Sequence, residues 1–81
     1  ERGKRIGIDI LVQHDSILAN KMVKDISLPE GTLLVEIRRG EYRILPKGNT
    51  KIKEGDTISV LTDVNLECSV KEALEAQNQS T

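Results

Sequence analysis

The sequence has no tryptophan, no phenylalanine, one tyrosine, one cysteine and two prolines in 81 residues. Each scarcity excludes something. Without aromatic rings there is no platform on which successive nucleic-acid bases stack. Cys68 has no partner for an internal disulfide, which rules out a small disulfide-stapled scaffold and fits a reducing compartment. No apolar run approaches the roughly 20 residues that cross a bilayer, and no signal-peptide pattern is seen, so this stretch is not expected to insert into a membrane. Twelve basic and thirteen acidic side chains leave a net charge of −1. That lacks the basic field a phosphate backbone requires, and nucleic acid is not expected as a partner.

What is present is aliphatic. Ile, Leu and Val make up nearly all of the apolar set, and each one buried contributes about 1.5–3 kcal/mol before conformational entropy is subtracted. A chain of this length holds one domain and hides only about 60–65% of its unfolded surface. Its core is marginal, and a homodimer that buries a further apolar face is expected. The absence of an initial Met before Glu1 suggests a fragment of a longer protein, with a membrane-embedded portion upstream.

Residues 1–5, with Arg2, Lys4 and Arg5, read as a solvated linker, or as a basic segment beside a membrane's cytoplasmic face. Residues 6–76 form the domain, and 77–81 a polar tail. Ile6, Ile8, Ile10 and Val12 alternate with Gly7, Asp9, Leu11 and Gln13, the period of a first strand. Asp15 or Ser16 then caps an expected helix, whose apolar stripe is Leu18, Met22 and Ile26 with Ala19 and Val23 beside it; Pro29 stops it near Ser27. Leu33, Val35 and Ile37 alternate with Leu34, Glu36 and Arg38 in a second strand. Gly40 permits the hairpin to a third strand through Tyr42 and Ile44 toward Pro46. A turn at Glu54-Gly55-Asp56 leads to a β-branched last strand, 57–62. These strands read as a small meander. Asp63 caps a second helix over 64–76, with Leu66, Val70, Ala73 and Leu74 inward and Cys68 off the stripe. The fold class is α+β, in β-α-β-β-β-α order, mainly antiparallel with two helices.

At LPEGTLLVEIRRG, followed by ILPKGNTKIKEGD, the chain resembles the TrkA-C domain, the carboxy-terminal regulatory module of potassium-uptake regulators, RCK gating rings, several antiporters and some CLC-type chloride transport proteins. The resemblance covers roughly 6–74, and its wording is nearest to the tails of bacterial CLC proteins. Asn49 stands where Asp is common in the P-x-G-D-T turn, and either side chain bonds local amides there. The resemblance implies a dimerising cytosolic module on the cytoplasmic side of the cell membrane, coupled to a transport domain of the same chain. Alternatives are the C-terminal lobe of a potassium-uptake regulator and a purely structural dimerisation tail. Some relatives bind cyclic di-AMP in an interface pocket. Carried over, that segment is Ile26, Ser27, Leu28, Pro29, Leu33 and Leu34, with Pro29 where nucleotide-binding relatives place an arginine.

Arg38 and Arg39 point to opposite faces of their strand. One is a candidate for a dimer contact or a ligand phosphate; ordinary surface ion pairs are the alternative. No nucleophile with a base, Gly-rich phosphate loop or paired carboxylates suggests an enzyme. His14 has no second ligand at metal spacing and reads as a capping or surface residue. Asp56 reads as a turn residue.

Overall fold

The computed structural model describes residues 4–78; residues 1–3 of the expected linker and 79–81 of the expected tail lie outside the described residues. Four strands, β1 (Arg5–Leu11), β2 (Leu33–Arg39), β3 (Tyr42–Ile44) and β4 (Thr57–Asp63), are followed by one α-helix, α1 (Glu67–Gln77). All pairings are antiparallel, in the order β1-β4-β2-β3. The fold is α+β, as expected. The expected meander is not formed, because β4 crosses back to lie between β1 and β2. Its alternation explains the position: Ile58, Val60 and Thr62 are all buried, and a strand with one fully buried row is best placed where neighbours satisfy both edges. β3, only three residues long, takes the edge.

β1 places Ile8 and Ile10 in the core, with Val12 just past its end, and leaves Leu11 outside. β2 corrects the simple alternation. A bulge at Val35, between the paired residues Leu34 and Glu36, inserts one residue. Leu34 and Ile37 thereby share the core face, while Leu33 turns outward. One face of the sheet is covered by α1, through Val70 and Leu74, and by the segment between β1 and β2, through Leu18 and Ile26.

The first of the two expected helices does not form. Between β1 and β2 the chain makes turns and one 3-10 turn, Val23–Asp25, with Asp15 and Asn20 in the left-handed region at φ 65° and 70°. The segment's amides bond outward: Val23 N donates to Thr50 O at 2.9 Å, Lys24 N to Gly48 O at 3.0 Å, and Ile52 N returns to Lys21 O at 2.8 Å. Those bonds to the loop before β4 replace the i→i−4 ladder. Ser16 does cap, but it caps a turn, its Oγ accepting from Leu18 N at 3.0 Å. The second helix begins with a 3-10 turn, Val64–Leu66, and Asp63 caps it by accepting from Asn65 N. Val70 and Leu74 face inward, Leu66 is exposed, and Cys68 is exposed.

Candidate functional site

The expected contact segment divides into core and surface. Ile26 and Leu34 are buried members of the core, which corrects their assignment as contact residues: a side chain already packed inside the monomer offers nothing to a ligand. Leu28 and Pro29 are half-buried. Leu33 is 59% exposed and pairs across the strands with Leu61. Exposed apolar surface continues toward β3, where Val35, Ile44 and Leu45, with Glu36 and Arg43, line a cleft of about 210 Å³. Arg43 is the exposed cation there, 3.8 Å from Glu36.

The two arginines of β2 part as their alternation requires. Arg38 lies on the open face, its Nη2 donating to Asp9 Oδ2 at 2.7 Å, while Ser59 Oγ donates to Asp9 Oδ1 at 2.8 Å. The Ser59 and Arg38 hydrogen bonds hold the Asp9 carboxyl below its ordinary range. Arg39 grips Asp56 with two bonds, Nε to Oδ1 at 2.9 Å and Nη2 to Oδ2 at 2.7 Å, and also donates to Lys51 O at 3.0 Å. Asp56 also accepts from Lys53 N at 3.0 Å, so its turn role stands beside the ion pair. Burial works against the Asp56 charge, but the Arg39 hydrogen bonds and the Lys53 amide outweigh it and keep the carboxyl below its usual range. A bidentate pair of this kind positions a turn. Neither arginine is available to a phosphate without giving up its carboxylate.

Two features escaped sequence reasoning. Arg39 and Asp56 are seventeen positions apart, and no local pattern joins them. Asn78, at the C-cap of α1, is buried and fastens the helix to the end of β1: its Nδ2 donates to Leu11 O at 2.7 Å, and its Oδ1 accepts from Gln13 N at 3.2 Å and Ser16 Oγ at 2.6 Å. The polar tail expected over 77–81 is corrected at its start: Gln77 is the last residue of α1 and Asn78 is its buried C-cap, held by these bonds. Among the described residues, no cluster of three or more His, Cys, Asp or Glu side chains could hold a metal ion. Nor is any helix among them long and apolar enough to cross a membrane.

The family model described as the TrkA-C domain matches residues 8–67. The chain belongs to that family. The match runs from the middle of β1 to the first residue of α1, so most of the sheet of this TrkA-C domain, the Arg39–Asp56 turn and the candidate surface lie within it. A solved structure described as "Structure of RCK domain with cda" is similar over 83% of this chain and 94% of that one, with a TM-score of 0.68 and 19% sequence identity. At that identity the likeness shows a shared fold. The TrkA-C family is one of regulatory domains.

Proposed function

We propose that this TrkA-C domain is a homodimerising, non-catalytic regulatory module of a bacterial ion transport protein, of the CLC chloride type. It acts on the cytoplasmic side of the cell membrane, coupled to a transport domain upstream in the same chain, and it senses a small anionic ligand. The observation that carries the sensing part is the surface around β2 and β3. Leu33 and Leu45, 59% and 75% exposed, supply apolar contact, and Arg43 supplies a cation already at the cleft. Apolar walls with few polar groups are what small-molecule sites are built from. Arg43 thereby takes the part that the sequence pattern suggests for Arg38 or Arg39, both of which are committed to carboxylates. Leu28 and Pro29, half-buried, border β2 in sequence and complete the candidate set.

The wording of the LPEGTLLVEIRRG stretch supports the CLC assignment. The likeness to an RCK domain supports a second reading, the C-terminal lobe of a potassium-uptake regulator; a dinucleotide-binding βαβ unit upstream would favour it, and several long apolar spans the first. Cyclic di-AMP is the probe for sensing, since some relatives of the resembled family bind it and the similar RCK domain is described with cda. At about a hundredfold excess over the dissociation constant, binding to the native state alone adds about 2.7 kcal/mol. For a domain this size that is a rise in Tm on the order of 10 °C, and Arg43→Ala is expected to remove it. An unchanged Tm would leave a structural dimerisation tail and end the sensing reading for this nucleotide.

A further inference from the structure

The two edges of the sheet are treated differently. On the β3 side the edge is short. On the β1 side a regular seven-residue strand, with neither proline nor bulge, pairs with β4 along its whole length, and among the described residues no strand pairs with its other edge. Val12 N donates to Asp56 O, and Val64 N donates to Lys4 O; even-numbered residues of this strand therefore direct their backbone groups toward β4. Odd-numbered residues direct theirs outward. The C-terminal end of that open edge is closed by Asn78, which occupies Leu11 O and Gln13 N. What stays open is the run Arg5-Ile6-Gly7-Ile8-Asp9. Natural edge strands are usually blunted by proline, a bulge, a cover or charged side chains; among the described residues this run has only the last, in Arg5 and Asp9.

We propose that β1 pairs antiparallel with β1 of a second copy about a two-fold axis at Gly7, joining two four-stranded sheets into one. The five residues are self-complementary in that register. Arg5 meets the partner's Asp9, Ile6 meets the partner's Ile8, and Gly7 meets the partner's Gly7. The outward backbone groups of Arg5, Gly7 and Asp9 then form about six interchain hydrogen bonds. Charge complementarity holds on both faces. On the open face, Arg5, which makes no ion pair among the described residues, reaches the partner's Asp9, a carboxylate already held in place by Ser59 and Arg38. On the helix face the register sets the partner's Lys4 opposite Ile10. There Ile10, Glu75 and Asn78 line a cleft of about 420 Å³, so the partner's Lys4 arrives beside the Glu75 carboxylate. Ile6, half-buried in one copy, is covered by the other. Asn78 sets the length of the pairing by blocking its extension past Asp9.

This inference rests on the homodimer part of the reading above and is separate from its ligand part, whose surface is at β2 and β3. The experiment is cysteine cross-linking of the 81-residue chain in a Cys68→Ser background with a short bismaleimide. Gly7 accepts a side chain, since a Cβ there would meet only Val60 O at 3.8 Å. The Gly7→Cys variant is expected to give a covalent dimer at least tenfold faster than the Tyr42→Cys variant, an exposed control on the opposite edge. Lys4→Glu should slow the reaction, and adding Glu75→Lys should restore it. Equal rates for the Gly7→Cys and Tyr42→Cys variants, in a chain that sedimentation shows to be dimeric, would overturn the β1 contact and leave the homodimer standing. Equal rates in a chain that stays monomeric would overturn both.

Discussion

Two regions cover the same face of the sheet, and their sequences look alike. The segment between β1 and β2 spaces Leu18, Met22 and Ile26 four apart, and α1 spaces Val70 and Leu74 likewise. Only the second is a helix. The difference lies in what the backbone of each can bond to. The first segment runs beside residues 48–52, whose carbonyls and amides take its polar groups; α1 has no such neighbour and must satisfy itself. α1 also has the stronger helix formers, with Glu, Lys, Ala, Leu and Gln filling most of its turns, whereas the first segment has Asn20 where the chain reverses. Apolar spacing reports which side chains are buried and leaves the backbone free to take more than one path between them. The side chains obey the prediction even where the helix does not: Leu18 and Ile26 are in the core.

The sharpest test of that equivalence is truncation on both sides. Leu18 and Leu74 are each fully buried, at 0% exposure, one under a turn segment and one under a helix. Leu18→Ala and Leu74→Ala are each expected to cost about 3 kcal/mol, a large part of the stability of a domain this small, read as a lower urea midpoint. If burial alone matters, the two costs agree to within about 1 kcal/mol. A Leu18→Ala cost near zero would mean that the turn segment refills the cavity and that the two covers differ in rigidity.

A smaller effect separates them by sign. Asn20 sits at φ 70°, where an L-residue with a β-carbon pays roughly 1–2 kcal/mol and Asn less than most. Asn20→Ala is therefore expected to destabilise by about 1 kcal/mol, and Asn20→Gly to be neutral or slightly stabilising. In a helix the alanine substitution would instead stabilise, by about 0.6 kcal/mol. Thermal unfolding of the two variants decides which backbone the segment has.

The same contrast marks how far the sequence could be read. The α+β class, the strands around 6–12, 33–38 and 57–62, and the helix capped by Asp63 were legible, because each is a local pattern. What was not legible is long-range. The insertion of β4 between β1 and β2 depends on which edges need a partner. The Val35 bulge converts the Leu33-Val35-Ile37 alternation into a Leu34-Ile37 core pair, and period counting has no term for an added residue. Of the candidate site, Leu28, Pro29 and Leu33 keep accessible surface; Ile26 and Leu34 belong to the interior; Arg38 and Arg39 each found a carboxylate distant in sequence. Arg43, in a strand only three residues long, gave no signal beyond its charge.

The least of these effects concerns how the first covering segment is moored at its start, and here pH supplies the handle. His14 lies just past β1 and forms ion pairs with Glu54 across the turn, at 3.2 Å, and with Asp15, at 3.4 Å. The Glu54 hydrogen bond, with the Asp15 and Glu54 charges, raises its pKa above the ordinary 6.5. Because the folded value is the higher one, the protonated ring stabilises the fold fully below about pH 6.5, and that contribution fades as pH rises through the folded value. The ring is exposed, so salt screens the pair and the effect is small. Measured as the Tm difference between the protein and His14→Gln, it is expected to be positive near pH ~5.5, to shrink toward zero by about pH 8.5, and to flatten in roughly 0.5 M salt. A difference that grew with pH would reverse the sign of the linkage and mean that the neutral ring is the form the turn prefers. α1 has no equivalent, because Asn78 ties its end to β1 with bonds that do not titrate. The helical cover should hold across the range in which the turn cover loosens.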